Sequence, residues 1–339
     1  MDNITLALVE LDPQGPHGSR GTVIEATTAM NTLFWHDLYG DNDFAEDPDA
    51  RMRSLENQTY RQRRTLVALE GPVSGWGPEE CGLPTIGVDT DVSRARVVAN
   101  TLLMRPRNEK NGHLLEDIEV VVEESHRRQG LGSCMQRAIE QVARDWGCRT
   151  LLAWATHFGD QPADPLTPGE GALGVPRDHP VTLFAEHHGY ELVELERMST
   201  QPVPERLEDI PEPMVHPDYT LLAWTGPLHE ALTDHPRLAE DEAALQTGFL
   251  ASVPRGDTDE VPREVGVDEV LHGSRCGALT HDTVQVMAFH RATGRPAGTT
   301  DLIRSRHVRT AAWQGSTVVL PEHRGHGLGL ALKLSLIHI

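Results

Sequence analysis

The feature of this sequence that most limits its fold is a short turn pattern that occurs twice. The first copy spans residues 127–132 (RRQGLG), and the second spans residues 324–329 (RGHGLG), about 200 residues further along. In both copies a valine-containing run and a His precede the first Arg, and apolar residues at helical spacing follow. Strand, glycine turn and helix are therefore predicted at two places, which indicates an internal duplication.

The length of 339 residues suits two domains better than one. Five prolines between Pro202 and Pro217 interrupt regular structure there. We therefore expect a first domain over residues 1–200, a linker over 201–218 and a second domain over 219–333.

Periodicity and turn residues predict the elements of each half. In the first half, strands are expected over 4–9, 65–69, 93–104, 115–122, 150–155 and 190–198, and helices over 22–38, 50–61, 131–146 and 181–188. Loops rich in Gly and Pro are expected over 71–87 and 159–180. In the second half, strands are expected over 219–224, 284–290, 298–302 and 316–320, with a helical stretch over 227–245.

Composition excludes several classes of function. The formal charge of −21, from 51 acidic and 30 basic residues, would repel a phosphate backbone, so nucleic acid is not expected as a partner. The same charge would attract a cationic amine, although excess acid is also a common means of solubility. Four cysteines without a Cys-x-x-Cys pair predict neither a metal site nor a disulfide framework. A signal peptide and an apolar span are not evident, so a cytoplasmic protein without membrane contact is expected.

The repeated turn has the chemistry of a phosphate site. Its glycines let the backbone approach a diphosphate, and the amide groups at the helix start stabilise negative charge. Arg127 and Arg128 can pair with phosphate oxygens. Neither copy carries the Gly-Lys-Ser/Thr of a Walker loop, and the third glycine of a dinucleotide-binding fingerprint is missing.

The strand, the Arg-x-x-Gly-x-Gly turn and the helix together resemble motif A of the GNAT superfamily of N-acetyltransferases. The resemblance implies an α+β fold, with a mixed, mostly antiparallel sheet flanked by helices, duplicated with an incomplete second copy. It also implies acetyl-coenzyme A as co-substrate. The strand over 115–122, here called the motif strand, would separate at one end from the strand over 150–155, which leaves a splay between them. The residues that would hold the cofactor are Val120, Val121, Val122, Arg127, Arg128, Gln129, Gly130, Leu131, Gly132 and Ser133, with Val319, Arg324, Gly325, Gly327 and Gly329 in the second copy.

Acetyl transfer to an amine requires a base, and two carboxylates on the motif strand are candidates. Glu116 stands where several members of the superfamily place their base, and strict alternation puts it on the strand face of Val120 and Val122, with Glu119 on the opposite face. Both could equally be solvated charges at the end of a strand.

Three further positions bear on catalysis. The second copy has Trp313 and Ser316 where the first has its two glutamates, so a strand carboxylate is not expected there. Ala185 stands where many members carry a tyrosine that protonates the leaving thiolate. The neighbouring His187 and His188 do not share a helix face, which favours a surface role over a metal or relay pair.

Residues 334–339 resemble the translated read-through of a sequencing adapter, so they are expected to be non-native and the second copy to stop shortly into its helix, at Lys333. A partial second domain predicts that the chain binds at most one acetyl-coenzyme A.

Three functions are compatible with these features. The first is an enzyme that transfers an acetyl group to a primary amine of a small molecule or peptide. The second is a weakly catalytic module that binds acetyl-coenzyme A or regulates, with its active half in the truncated second domain, and the third is a scaffold in which both turns are only structural. The acceptor and the oligomeric state cannot be read from the sequence.

Overall fold

A computed structural model describes residues 3–10, 22–159, 162–168, 173–203 and 206–338. Parts of the loop predicted over 159–180 and of the linker predicted over 201–218, and the last residue of the segment 334–339, lie outside these residues. The chain divides into two compact units, residues 1–196 with 255–261, and residues 197–254 with 262–339. The segment 255–261, within the range expected for the second domain, thus groups with the first unit.

The first unit is an α+β structure. Its helices are α1 (Val23–Tyr39), α2 (Pro48–Glu56), α3 (Leu131–Asp145) and α4 (Pro180–His187). Its strands are β1 (Ile4–Glu10), β2 (Arg61–Glu70), β3 (Glu79–Glu80), β4 (Leu83–Gly87), β5 (Arg96–Pro106), β6 (Leu114–Val122), β7 (Thr150–Trp154), β8 (Pro165–Leu166) and β9 (Val175–Pro176). Among the described residues, seven strands form the main sheet in the order β3-β4-β1-β2-β5-β6-β7, and β8 pairs with β9.

The main sheet is mixed and mostly antiparallel, as predicted: β1 with β4 and β6 with β7 are its parallel pairs, and its other neighbours run antiparallel. Helix α3 buries one apolar stripe, including Met135, Ile139 and Val142, against one face of the sheet. Helices α1 and α2 cover the other face, where Val23 and Leu55 are buried. The helix of the glycine turn is therefore fixed to the sheet by its own apolar period.

The structure corrects two predictions for this unit. The segment 190–198 forms no strand, although one was predicted there. A local sequence pattern can suit a strand, but it does not show whether a neighbouring strand is present to pair with it. The loop predicted over 71–87 contains β3 and β4, and β4 pairs in parallel with β1. That long-range pairing could not be read from a local pattern rich in Gly and Pro.

The second unit repeats the strand–turn–helix order on an antiparallel sheet. Its strands are β10 (Tyr219–Thr225), β11 (His281–His290), β12 (Pro296–Ser305), β13 (Trp313–Gln314) and β14 (Val318–Val319), and its helices are α5 (Leu228–Ala231), α6 (Leu238–Ser252), α7 (Val267–Gly277) and α8 (Leu328–Ile337). Helix α7 was not predicted. Helix α8 includes Lys333, and Leu336 is 4% exposed in the core.

None of the helices within the described ranges has both the length and the apolar character needed to cross a membrane.

The second unit buries a carboxylate on α6. Glu242 is 6% exposed and accepts hydrogen bonds from Gln246 Nε2 at 2.9 Å and Gln285 Nε2 at 2.8 Å. Burial, together with the nearby charge of Asp301, raises the pKa of Glu242 to about 7, and the two hydrogen bonds partly oppose this rise. The folded unit therefore binds this proton more tightly than the unfolded chain does.

We expect the stabilising effect of this proton to be complete below the ordinary pKa of 4.5 and to be lost as the pH rises through about 7. The loss is at most on the order of 3 kcal/mol, at 1.36 kcal/mol per pKa unit. Thermal unfolding of the parent and of Glu242→Gln should therefore diverge between about pH 5 and pH 8.

The exposed Glu240, on the same helix, supplies the control, because Glu240→Gln should leave the pH dependence of unfolding unchanged. Parallel pH curves for the parent and Glu242→Gln would contradict the burial argument.

Candidate functional site

In the main sheet of the first unit, β7 pairs with only the first part of the motif strand β6. Strand β6 pairs in parallel with β7 from Leu114, opposite Thr150, to Ile118, opposite Trp154. Strand β6 then continues to Val122 without a partner residue on β7. Pairing between the two strands therefore ends at Ile118, and the stretch of β6 beyond it, where the resemblance implies a splay, is here called the opening.

A β-bulge accompanies the opening. On the side of β5, Asn100 faces Val121 whereas Leu102 faces Ile118, so β6 has an extra residue in this stretch. Glu119 lies in the bulge with φ 46°, in the left-handed region that costs a non-glycine residue roughly 1–2 kcal/mol. Local backbone strain is thus concentrated at one of the two carboxylates predicted as a base.

The carboxylate of Glu119 bridges the opening. It accepts long hydrogen bonds from the Thr156 amide at 3.4 Å and from Thr156 Oγ1 at 3.3 Å, just after β7. Burial raises the pKa of Glu119 to about 7, and the two bonds from Thr156 partly oppose this rise. A carboxylate with such a pKa can both accept and release a proton near neutral pH.

Glu116 has a different environment. Its Oε2 atom accepts a hydrogen bond from Arg61 Nη1 at 2.7 Å, in an ion pair in which the Glu116 side chain is 17% exposed. The bulge also breaks the strict alternation from which the faces of Glu116 and Glu119 were predicted, so alternation does not relate the two residues across it. Of the two carboxylates, Glu119 is the one at the opening.

The first glycine turn has a defined backbone shape. Residues 124–126 form a single 3₁₀ turn, and Arg127 Nε donates to the Val122 carbonyl at 2.9 Å. Arg128 has φ 60°, and Gly130, which begins α3, has φ 87°. Since Gly130 has no side chain to cap the helix, the amide groups of the first turn of α3 face outward, in the arrangement that stabilises phosphate. The guanidinium groups of Arg127 and Arg128 are exposed beside them.

The second turn reproduces this shape. Residues 321–323 form the 3₁₀ turn, and Arg324 Nε donates to the Val319 carbonyl at 3.2 Å. Gly325 has φ 82° and Gly327, at the start of α8, has φ 72°. A cavity of about 230 Å³ lies against this turn, lined by Val319, His323, Arg324, Gly325, Gly327, Leu328, Gly329 and Leu330. The duplication inferred from sequence therefore extends to backbone conformation.

Helix α4 lies against the start of α3. A Cβ at Gly132 would approach Phe184 Cε2 to 3.1 Å, and Ser133 Oγ hydrogen-bonds His188 Nε2 at 2.9 Å. Burial and the neighbouring charge of His187 lower the pKa of His188. A surface role was predicted for both histidines; His187 is exposed, whereas His188 is partly buried and contacts Ser133, the residue after the turn.

Sequence reasoning also missed the contacts of Thr156 and Phe184. The contacts of both residues depend on how distant segments pack. At the predicted base positions of the second unit, Trp313 is exposed on β13 and Ser316 lies between β13 and β14. Within the described part of the chain, no three His, Cys, Asp or Glu side chains are grouped to hold a metal ion.

Residues 33–167 match the family model described as acetyltransferase (GNAT) family. The match contains β6, the splay, the first glycine turn and β7. No curated protein matches the sequence.

Two solved structures show the fold of the whole chain. One is a tandem GNAT protein from the clavulanic acid biosynthesis pathway, with a TM-score of 0.60, 18% identity, and coverage of 99% of this chain and 85% of that one. The other is a GCN5-related N-acetyltransferase from Sphaerobacter thermophilus, with a TM-score of 0.53, 14% identity, and coverage of 100% and 83%. The first unit carries a domain of the GNAT family of acetyltransferases. The chain as a whole has the fold of the tandem GNAT type.

The contact between α4 and the first turn yields a matched test. Gly132→Val places methyl groups against Phe184, whereas a Cβ at the equivalent Gly329 of the second turn meets nothing within 4 Å. Gly132→Val should lower the midpoint of thermal unfolding by several degrees, at a cost of roughly 1–3 kcal/mol for overpacking. Gly329→Val should leave it nearly unchanged. Equal effects of the two substitutions would show that α4 does not pack on the turn.

Proposed function

We propose that the first unit transfers the acetyl group of acetyl-coenzyme A to a primary amine, and that Glu119 accepts the amine proton. The observation that carries this proposal is the position of the Glu119 carboxylate, at the opening between β6 and β7, with a pKa raised to about 7. Attack on the thioester requires a neutral amine, and a base whose pKa lies near the working pH is the most effective. Glu116 is already paired with Arg61 and is the weaker candidate.

In this proposal the glycine turn holds the diphosphate of coenzyme A. The outward amides from Gln129 to Ser133 and the exposed Arg127 and Arg128 supply positive potential. The backbone of Val120, Val121 and Val122 runs from the turn toward Glu119 beyond the last pair with β7, where the pantetheine amides can pair with it. The thioester would then lie in the splay, within reach of an amine beside Glu119.

The second turn has the same shape, and we propose that Val319, Arg324, Gly325, Gly327 and Gly329 have the same ability to bind phosphate. Trp313 and Ser316 stand at its two predicted base positions. We therefore place the chemistry in the first unit.

A weakly catalytic, acetyl-coenzyme A-binding module is the second candidate. The observation that favours it is Ala185 on α4, where the resemblance expects a tyrosine hydroxyl for the leaving thiolate. Tight binding of acetyl-coenzyme A, with thiol release unaffected by the presence of amines, would support this candidate against the enzyme.

The decisive variant is Glu119→Gln, which keeps the shape of the side chain and removes the base. Thiol release with an amine acceptor should fall by about 100- to 10,000-fold. In the parent, kcat/KM should rise with pH through about 7 and level off above it, because the deprotonated carboxylate is the active form. This rise should be absent in Glu119→Gln.

Glu116→Gln is the control, and it should lose the ion pair with Arg61 while retaining the pH profile of the parent. Burial favours the neutral form of residue 119, so Glu119→Gln should be at least as stable as the parent near pH 8. A profile centred on pH 7 that survives in Glu119→Gln would rule Glu119 out as the base.

A further inference from the structure

An unusual share of the aromatic residues lies beside the opening in the first unit. The chain has only 6 Phe, 4 Tyr and 6 Trp, which together make up 5% of its residues. Five of these residues form one connected group, here called the ring cluster: Phe34, Trp35, Tyr39, Phe44 and Phe158. None of them belongs to either hydrophobic core of this unit. Stabilisation of the core therefore does not explain their position.

The ring cluster combines stacked and edge contacts. Tyr39 stacks on Phe44 with centroids 3.9 Å apart and planes 10° apart, and Phe158 meets Tyr39 edge-on at 4.7 Å and 82°. Trp35 lies 6.1 Å from Phe44. Phe158 is 53% exposed, so the cluster presents aromatic surface to solvent.

The ring cluster and the proposed base are adjacent. Phe158 follows Thr156 by two residues, and Thr156 hydrogen-bonds Glu119. Burial raises the pKa of the Tyr39 phenol, and the nearby charges of Glu119 and Asp41 raise it further. Glu119 and Asp41 thus both contribute negative charge near the Tyr39 ring, and this charge would attract a cation bound beside the ring.

We propose that the ring cluster is the acceptor-binding surface and that the acceptor is a primary amine joined by a short aliphatic chain to an aromatic ring. This inference rests on the proposed function. The ring of the acceptor packs against the exposed ring of Phe158, at the 4.5–7 Å separations that aromatic pairs favour. Its ammonium group lies toward Glu119 and over aromatic faces, where both interactions attract a cation.

The chemistry balances with the groups named. The amine nitrogen forms a bond to the acetyl carbonyl carbon, and the bond from that carbon to sulfur breaks. The acceptor enters as an ammonium ion, and Glu119 takes one proton from it to leave the neutral amine. After the attack nitrogen loses a second proton, and the departing sulfur gains that proton to give coenzyme A thiol. The ring cluster takes no part in bond changes, and its contribution is affinity and orientation.

The test compares three amines of similar size: 2-phenylethylamine, 2-cyclohexylethylamine and glucosamine. Thiol release from acetyl-coenzyme A gives kcat/KM, and calorimetry in the presence of coenzyme A gives affinity. The parent should prefer 2-phenylethylamine to 2-cyclohexylethylamine by roughly three- to tenfold, the contribution of an aromatic pair beyond its area. Glucosamine should be poorer than both.

Phe158→Leu keeps an apolar side chain at an exposed position and removes the ring, so it should bring the phenyl-to-cyclohexyl ratio close to one. Trp76→Leu is the control, because Trp76 is 39% exposed and lies outside the ring cluster. It should keep the ratio of the parent. A ratio near one in the parent, or a ratio unchanged in Phe158→Leu, would overturn the proposal.

The two readouts separate this inference from the proposed function. Binding of 2-phenylethylamine that depends on Phe158, without turnover of any amine, would support the ring cluster and refute the enzyme. Turnover led by glucosamine would support the enzyme and refute the aromatic acceptor. Neither binding nor turnover with any of the three amines would overturn both.

Discussion

The end of the parallel pairing between β6 and β7 is the constraint on which the candidate site depends. Pairing stops at Ile118 and Trp154, and the bulge places Glu119 at the point where the strands part. Because backbone groups in an opening of this kind are not used by the sheet, a bound molecule can pair with them. Thr156, two residues beyond the last paired residue of β7, hydrogen-bonds the Glu119 carboxylate. Strain, burial and backbone without a partner on β7 therefore coincide at one place, as functional sites often require.

The two glycine turns have the same backbone shape but different neighbouring side chains. In both, an Arg Nε binds a valine carbonyl five residues back, and this contact fixes the turn. The surroundings differ. His126 contacts Glu123 at 2.8 Å, whereas the equivalent His323 shares a hydrogen bond with the Tyr219 hydroxyl at 3.0 Å. A duplicated turn can thus keep its geometry while its charged neighbours change, and for this reason the motif alone does not assign equal functions to the two units.

The parts of the fold that the sequence predicted are those encoded locally. Glycines at positive φ, the apolar period of α3 and the valine run before the turn lie within a few residues of one another, so they specify strand, turn and helix together. The site itself is less local. The bulge at Glu119 depends on register with β5, and the bond to Thr156 joins residues 37 positions apart. The contact of Phe158 with Tyr39 likewise depends on packing between distant segments. Periodicity holds no information on such contacts, and the strict alternation assumed along β6 does not hold across the bulge.

The central claim is that burial at the opening changes the acidity of Glu119, and direct titration tests it best. Carboxyl carbons of glutamate can be labelled with ¹³C, and the Glu119 resonance can be assigned by its absence in Glu119→Gln. Its chemical shift should titrate with a midpoint near pH 7, the value to which burial raises this pKa. A midpoint near 4.5, the ordinary value for a glutamate, would contradict the account.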